Sequence, residues 1–243
     1  MKKYLPDLLT LLNLVCGTCA SIMAAWGLFM PAFCFVLAGA VFDVCDGALA
    51  RTLGVSSGMG RELDSLSDLV TFGVAPALML FCWYYKINCG DTPHILAFVP
   101  LLIVPFSSVR LARFNLFDSG EKEFRGLPTP ACAMIAASLA AYGHCCAMAG
   151  ADSFVLNLLK SSWFIPVLSL ILCVLLVSRI RMFSVKGKFG IKHYLLAGGA
   201  VLFVAAIAFF APRGIHPMGY LALFFTMLFT AYVLLALVVP NKE

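Results

Sequence analysis

Long apolar stretches, separated only by short breaks of charge, proline or glycine, leave this 243-residue chain one medium that suits it, a lipid bilayer. Eight such stretches lie near residues 8–29, 31–50, 64–85, 94–117, 128–149, 162–179, 193–211 and 217–239. A spanning helix takes about 20 apolar residues, so a chain of this length holds at most about ten spans with short loops. No room remains for a separate soluble domain. Composition agrees: 62% of residues are hydrophobic and 12% charged, against about 45–50% and 25% in soluble domains. The expected fold is all-α: one polytopic membrane bundle of about eight transmembrane helices, forming a single domain over residues 1–243.

An even number of spans puts both termini on one side, and the basic residues then sort unequally. Lys2, Lys3, Arg51, Arg61, Arg110, Arg113, Lys122, Arg125, Arg179, Arg181, Lys186, Lys188, Lys192 and Lys242 fall on one side, 14 of 17; Lys86, Lys160 and Arg213 fall on the other. The positive-inside rule makes the rich side cytoplasmic, with both termini inside. The net charge of +5 is mostly this rim, which suits anionic lipid headgroups rather than nucleic acid. The first helix is expected to stay attached, because the run after Lys2, Lys3 and Asp7 is long enough to span and has no clear small-residue cleavage site. Most of the ten cysteines sit within apolar runs, where a thiol behaves as a small hydrophobe, so no structural disulfide is expected. The pair Cys16-x-x-Cys19 reads as packing on an apolar helix. Trp83, Tyr84 and Tyr85 are expected in an outer aromatic belt, and the four histidines at interfacial or packing positions.

Among the twelve acidic residues, four aspartates crowd into 26 positions: Asp43 and Asp46 near the end of the second stretch, Asp64 and Asp68 at the start of the third. A carboxylate deep in a membrane helix costs about 2.5–3.5 kcal/mol, so structure alone would not retain four. At about 100° per residue, Asp43, Asp46, Gly47 and Ala50 share one helix face, with Arg51 at its margin; Asp64 and Asp68 project together one turn apart. The connecting loop is expected to contain Gly54, Ser56, Ser57, Gly58 and Gly60. Two antiparallel neighbours so joined can bring all four acids together just beneath the cytoplasmic interface. Two divalent cations would cancel four negative charges, and a pair of metals suits in-line displacement at phosphorus. Oxygen ligands without a His or Cys set favour Mg2+ or Mn2+ over zinc. Membrane acids also mark ion pathways, so a divalent-cation transporter is the reading from another class. Against it, the acids crowd one face, the fifth to eighth stretches carry none, and no inverted repeat is visible.

The run Asp43-x2-Asp46-Gly47-x2-Ala50-Arg51-x8-Gly60-x3-Asp64-x3-Asp68 resembles, without departure, the D-x2-D-G-x2-A-R-x8-G-x3-D-x3-D signature of the CDP-alcohol phosphotransferase family. The resemblance implies that Asp43, Asp46 and Asp64 ligate two divalent metals, while Asp68 completes the metal site and acts as general base. It also implies that Gly47 lets a nucleotide approach closely, that Arg51 pairs with the diphosphate, and that Ser57 or Gly60 lines the nucleotide pocket. Thr10 and Asn13 lie one turn apart on the first helix and could hydrogen-bond cytidine or a metal-bound phosphate, or serve helix packing. The implied reaction is attack by an alcohol on the lipid-attached phosphorus of a CDP-activated lipid, expelling CMP. The catalytic core is expected in residues 1–180, with extra helices in 190–240.

For the acceptor, Ser107, Ser108, Arg110, Arg113 and Asn115 cluster at the end of the fourth stretch, ahead of Arg125 and the run Gly126-Leu127-Pro128-Thr129-Pro130. Arg110 and Arg113 share a helical face and could hold a carboxylate or a lipid phosphate. The runs Leu8 to Gly17, Val109 to Asn115 and Gly126 to Pro130 look like those of the integral-membrane phosphatidylserine synthase branch. That resemblance implies CDP-diacylglycerol as donor, L-serine as acceptor, a homodimer, and a cell (inner) membrane location with the active site facing the cytoplasm. A serine carboxylate would give Ser108, Arg110, Arg113, Asn115 or Arg125 a task. The same residues could bind the donor phosphate or, in a sister enzyme, glycerol 3-phosphate or inositol phosphate.

Overall fold

The computed structural model describes residues 4–54, 58–89, 94–118, 124–151, 153–178, 180–182 and 215–238. Proline in the first turn, where its missing N–H costs nothing, opens α1 (Leu5–Ala25) and α6 (Thr129–Ala149), whereas Pro76 of α4 (Ala75–Asn88) follows directly on helical backbone. α1 runs through a tight turn into α2 (Phe29–Leu53), and these two share the most extensive helix contact among the described residues. The third span, Gly58–Asn88, is one continuous rod. It comprises α3 (Gly58–Asp68), a π-helical turn Leu69–Val74, and α4. The fourth begins as a 3-10 segment, Ile95–Leu102, which holds Pro100; it continues as α5 (Ile103–Arg113) and ends in a second π turn, Phe114–Asp118.

Beyond it come the two-residue strand β1 (Phe124–Arg125), α6, α7 (Phe154–Lys160), α8 (Phe164–Val177), strand β2 (Arg181–Met182) and α9 (Pro217–Val238). β1 and β2 pair antiparallel, Phe124 opposite Met182 and Arg125 opposite Arg181. The all-α expectation holds apart from this clasp.

Six helices are long and apolar enough to cross a membrane, or seven if α7 and α8, bent by 90°, form one span. The expected stretch 193–211 lies outside the described residues. Two expectations are corrected. Gly58 and Gly60, assigned to a loop, lie in the first turn of α3. Hydropathy reading halts at the charges of Arg61, Glu62 and Asp64, yet the backbone is already helical there. Trp83 and Tyr84, expected in an aromatic belt, are buried. Trp83 meets Phe29 edge to face at 5.6 Å, and His144 packs against the same Phe29 at 5.3 Å.

The core is organised around α6. Of its span, 78% is buried, against 33% for α1 and 28% for α2. Its inward face can pack on several helices because it is rich in Ala, Gly, Ser and Cys, and small side chains let backbones approach. It contacts α2, α4 and α9, and Ser138 shares a 2.8 Å hydrogen bond with Thr226 of α9. All ten cysteines are free thiols.

Candidate active site

The acids sit where α1, α2 and α3 meet. One carboxylate oxygen each from Asp43, Asp64 and Asp68 lies within 4.8 Å of the others, so the two helices do bring three of the four acids together. Asp46, a turn from Asp43 and 5% exposed, stands outside this triplet. Its Oδ2 accepts a 2.6 Å hydrogen bond from the Thr10 hydroxyl of α1. Asp68 is 9% exposed, and its Oδ1 accepts a 3.2 Å bond from the Asn13 amide. Asp64 Oδ1 is buried without a hydrogen-bond partner.

A buried acceptor left without a donor costs about 1–3 kcal/mol, more if charged. Three carboxylates this close also repel one another. A hard divalent cation answers both, since it takes several oxygen ligands and cancels charge. The donor set therefore fits a cation of the magnesium or manganese type.

The backbone behind the acids explains their placement. Directly after Asp68 the helix widens into the π turn, a distortion frequent at functional sites. This turn carries Thr71, whose hydroxyl donates to the Asn13 carbonyl of α1 at 2.9 Å. The approach is possible because Gly39 of α2 lacks a side chain: a Cβ there would lie 2.6 Å from Thr71 Cγ2 and 2.8 Å from Asn13 Oδ1. Thr71 and Gly39 were not singled out from the sequence. Their one readable signal is spacing, Thr71 one turn beyond Asp68 and Gly39 one turn before Asp43.

At the mouth of the site Arg51 is exposed, and its Nη1 lies 3.6 Å from where a Gly47 Cβ would stand. The guanidinium thus arches over the open patch that Gly47 leaves. Gly60 stands one turn before Asp64 in α3. Ser57 lies outside the described residues.

The basic cluster is built differently. Ser108 donates to Pro105 O of its own helix at 2.8 Å. Arg110 donates through Nη1 to the Thr129 hydroxyl at the start of α6. Arg113 donates to Val177 O, the last residue of α8, at 3.3 Å. Asn115 donates to the Ser65 hydroxyl at 2.9 Å, which ties the end of the fourth span to the residue after Asp64. Arg125 lies in β1 beside Gly126, whose φ of 78° lets the chain turn sharply. Gly126 N donates to Ile180 O at 2.9 Å and Leu127 N to Leu175 O at 3.0 Å, fastening the clasp to the end of α8.

Residues 3–174 match the model of the family described as CDP-alcohol phosphatidyltransferase. The CDP-diacylglycerol-serine O-phosphatidyltransferase of Mycobacterium leprae is 35% identical over 217 residues, covering 86% of this chain and 66% of that protein. The protein of the same name from Methanocaldococcus jannaschii is 30% identical over 208 residues, 85% of this chain and 86% of the relative. An archaetidylserine synthase of Methanothermobacter thermautotrophicus is 38% identical over 136 residues, covering 55% of this chain and 56% of the relative. The matched part thus spans just under two thirds of the first of these proteins and little more than half of the last.

Proposed function

This chain belongs to the CDP-alcohol phosphatidyltransferase family, and from that premise we propose that it transfers the phosphatidyl group of CDP-diacylglycerol to L-serine. The products are phosphatidylserine and CMP. The observation that carries the chemistry is the convergence of Asp43, Asp64 and Asp68 within 4.8 Å. Those three acids, together with Asp46, would hold two divalent cations, Mg2+ or Mn2+. Such a pair, when bound, neutralises charge at the diphosphate and lowers the barrier to displacement at phosphorus.

The remaining work belongs to the chain's own groups. Asp68 takes the proton of the serine hydroxyl as its oxygen bonds to the lipid-attached phosphorus. The bond from that phosphorus to the oxygen bridging to CMP breaks, and CMP leaves. Arg51 pairs with the diphosphate over the patch opened by Gly47, and Gly60 or Ser57 lines the nucleotide side. Ser108, Arg110, Arg113, Asn115 and Arg125 form the region that receives the serine carboxylate or the lipid phosphate. Serine is favoured over other alcohols because relatives matched across most of this chain carry serine in their names, and because a carboxylate suits a basic cluster.

The bundle is proposed to have eight spans with both termini cytoplasmic. The acids then face the cytoplasm from the inner membrane, and two copies form a homodimer. The test is CMP release by purified protein given CDP-diacylglycerol and Mg2+ or Mn2+, with serine, glycerol 3-phosphate, inositol phosphate or no acceptor. Stimulation by serine alone is expected. Stimulation by another alcohol would keep the chemistry and change the acceptor. Absence of any metal-dependent release would favour a cation transporter.

A further inference from the structure

Behind the acids, α1 offers two polar side chains three positions apart on one face, and each ends on a carboxylate from a different helix. Thr10 holds Asp46 of α2, and Asn13 holds Asp68 of α3. We infer that α1 is an orienting rail for the acids and that Asn13 is a positioning residue that fixes the carboxylate of Asp68. The inference rests on the reading of Asp68 as the base.

Asn13 is fully buried. Its NH2 is given to Asp68 Oδ1, while its own Oδ1 lies against Gly39 and accepts no hydrogen bond. Turning the amide over would set oxygen against oxygen, so the carboxylate dictates the amide's direction and the amide returns the constraint. Its main chain is held as well, because Thr71 donates to Asn13 O from the π turn that follows Asp68. Gly17, one turn along α1, lets Thr71 sit this close: a Cβ there would be 2.7 Å from Thr71 Cα.

Asp68 and Asn13 are thus joined twice, once through side chains and once through Thr71. A carboxylate with one oxygen so held presents the other in a fixed direction, and proton transfer needs that geometry. An amide committed to Asp68 and walled by Gly39 is poorly placed to read a nucleotide directly. Asn13 reaches the reaction through Asp68.

The experiment uses the full chain in lipid nanodiscs and compares wild type with Asn13→Ala and Thr71→Val. Steady-state kinetics give kcat and the donor KM, and the electron paramagnetic resonance spectrum of added Mn2+ is taken without substrate. Asn13→Ala is expected to lower kcat by about tenfold to a hundredfold, the size of a misplaced catalytic group, with the donor KM changed by less than about threefold. Its Mn2+ spectrum is expected to differ from wild type.

Thr71→Val keeps the amide and nearly the same volume, and should show the same pattern at smaller size even if Asn13→Ala does not fold. A raised donor KM with kcat retained would overturn the inference by making Asn13 a nucleotide ligand. Unchanged kinetics and spectra in both variants would overturn it too. If wild type binds Mn2+ but releases no CMP, the proposed reaction falls, while the Mn2+ spectra still decide whether Asn13 orients the acids.

Discussion

Two polar regions meet near the end of α3, and they handle charge in opposite ways. In the acid pocket, Asp43, Asp64 and Asp68 are turned toward one another, and a buried Asp64 oxygen has no donor at all. In the basic cluster, Arg110 bonds to Thr129 at the head of α6 and Arg113 to the carbonyl that ends α8. The first arrangement is costly unless something positive arrives. The second already satisfies helix ends and hydroxyls within the protein. Concentrated like charge is therefore the sharper pointer to chemistry, whereas a charged side chain bonded to a helix terminus serves the scaffold whatever else it does.

The contrast can be broken most directly at Asp68. Asp68→Asn is expected to cut CMP release by about a thousandfold, the loss of a general base, while much of the Mn2+ and CDP-lipid binding survives. Asp46→Asn should weaken both kinds of binding. Equal binding losses in the two variants would remove the distinction between a base and a ligand.

Next in size is the packing behind the acids. Gly39→Ala drives a methyl into Thr71 and Asn13 and should cost about 1–3 kcal/mol of stability together with turnover. Gly126→Ala, strained by its positive φ and by the Leu176 carbonyl 2.6 Å from the new Cβ, should lower thermal stability without the same loss of turnover per degree. Parallel losses in both would mean that the acid pocket is no more sensitive to packing than the clasp.

On the basic side, Arg113→Ala forfeits one hydrogen bond and should cost about 1 kcal/mol in thermal denaturation, with a larger rise in the serine KM than in the donor KM. The reverse order of KM changes would assign the guanidinium to the lipid phosphate. The smallest effect is expected at Ser138→Ala, about 0.6 kcal/mol for an interhelical hydrogen bond in a membrane. A loss several times larger would mean that α9 depends on that single contact.

The acids were legible early because helix geometry is local: Asp64 and Asp68 one turn apart must share a face in any fold that keeps the helix. Apolar length likewise foretold most of the spans. Periodicity could not foresee the kink between α7 and α8 or the clasp of β1 on β2, since each depends on a partner distant in sequence. Trp83 was misjudged for the same reason: an aromatic near a helix end suits a membrane interface, but Phe29 and His144 arrive from elsewhere to bury it.

By itself the sequence determined that the chain belongs in a bilayer, that its helices carry four acids at fixed spacing, and that those acids invite metal-assisted chemistry. Hydrophobic length and the 3.6-residue repeat act within a few turns, so they can be read from neighbours along the chain. Only the tertiary structure decided that three acids form one cluster while Asp46 leans on Thr10, that Asn13 and Thr71 brace Asp68, and that Arg113 closes the end of α8. Those contacts join residues far apart in sequence. Gly17 and Gly39 let Thr71 and Asn13 come together, and spacing along the chain does not show which helices approach there.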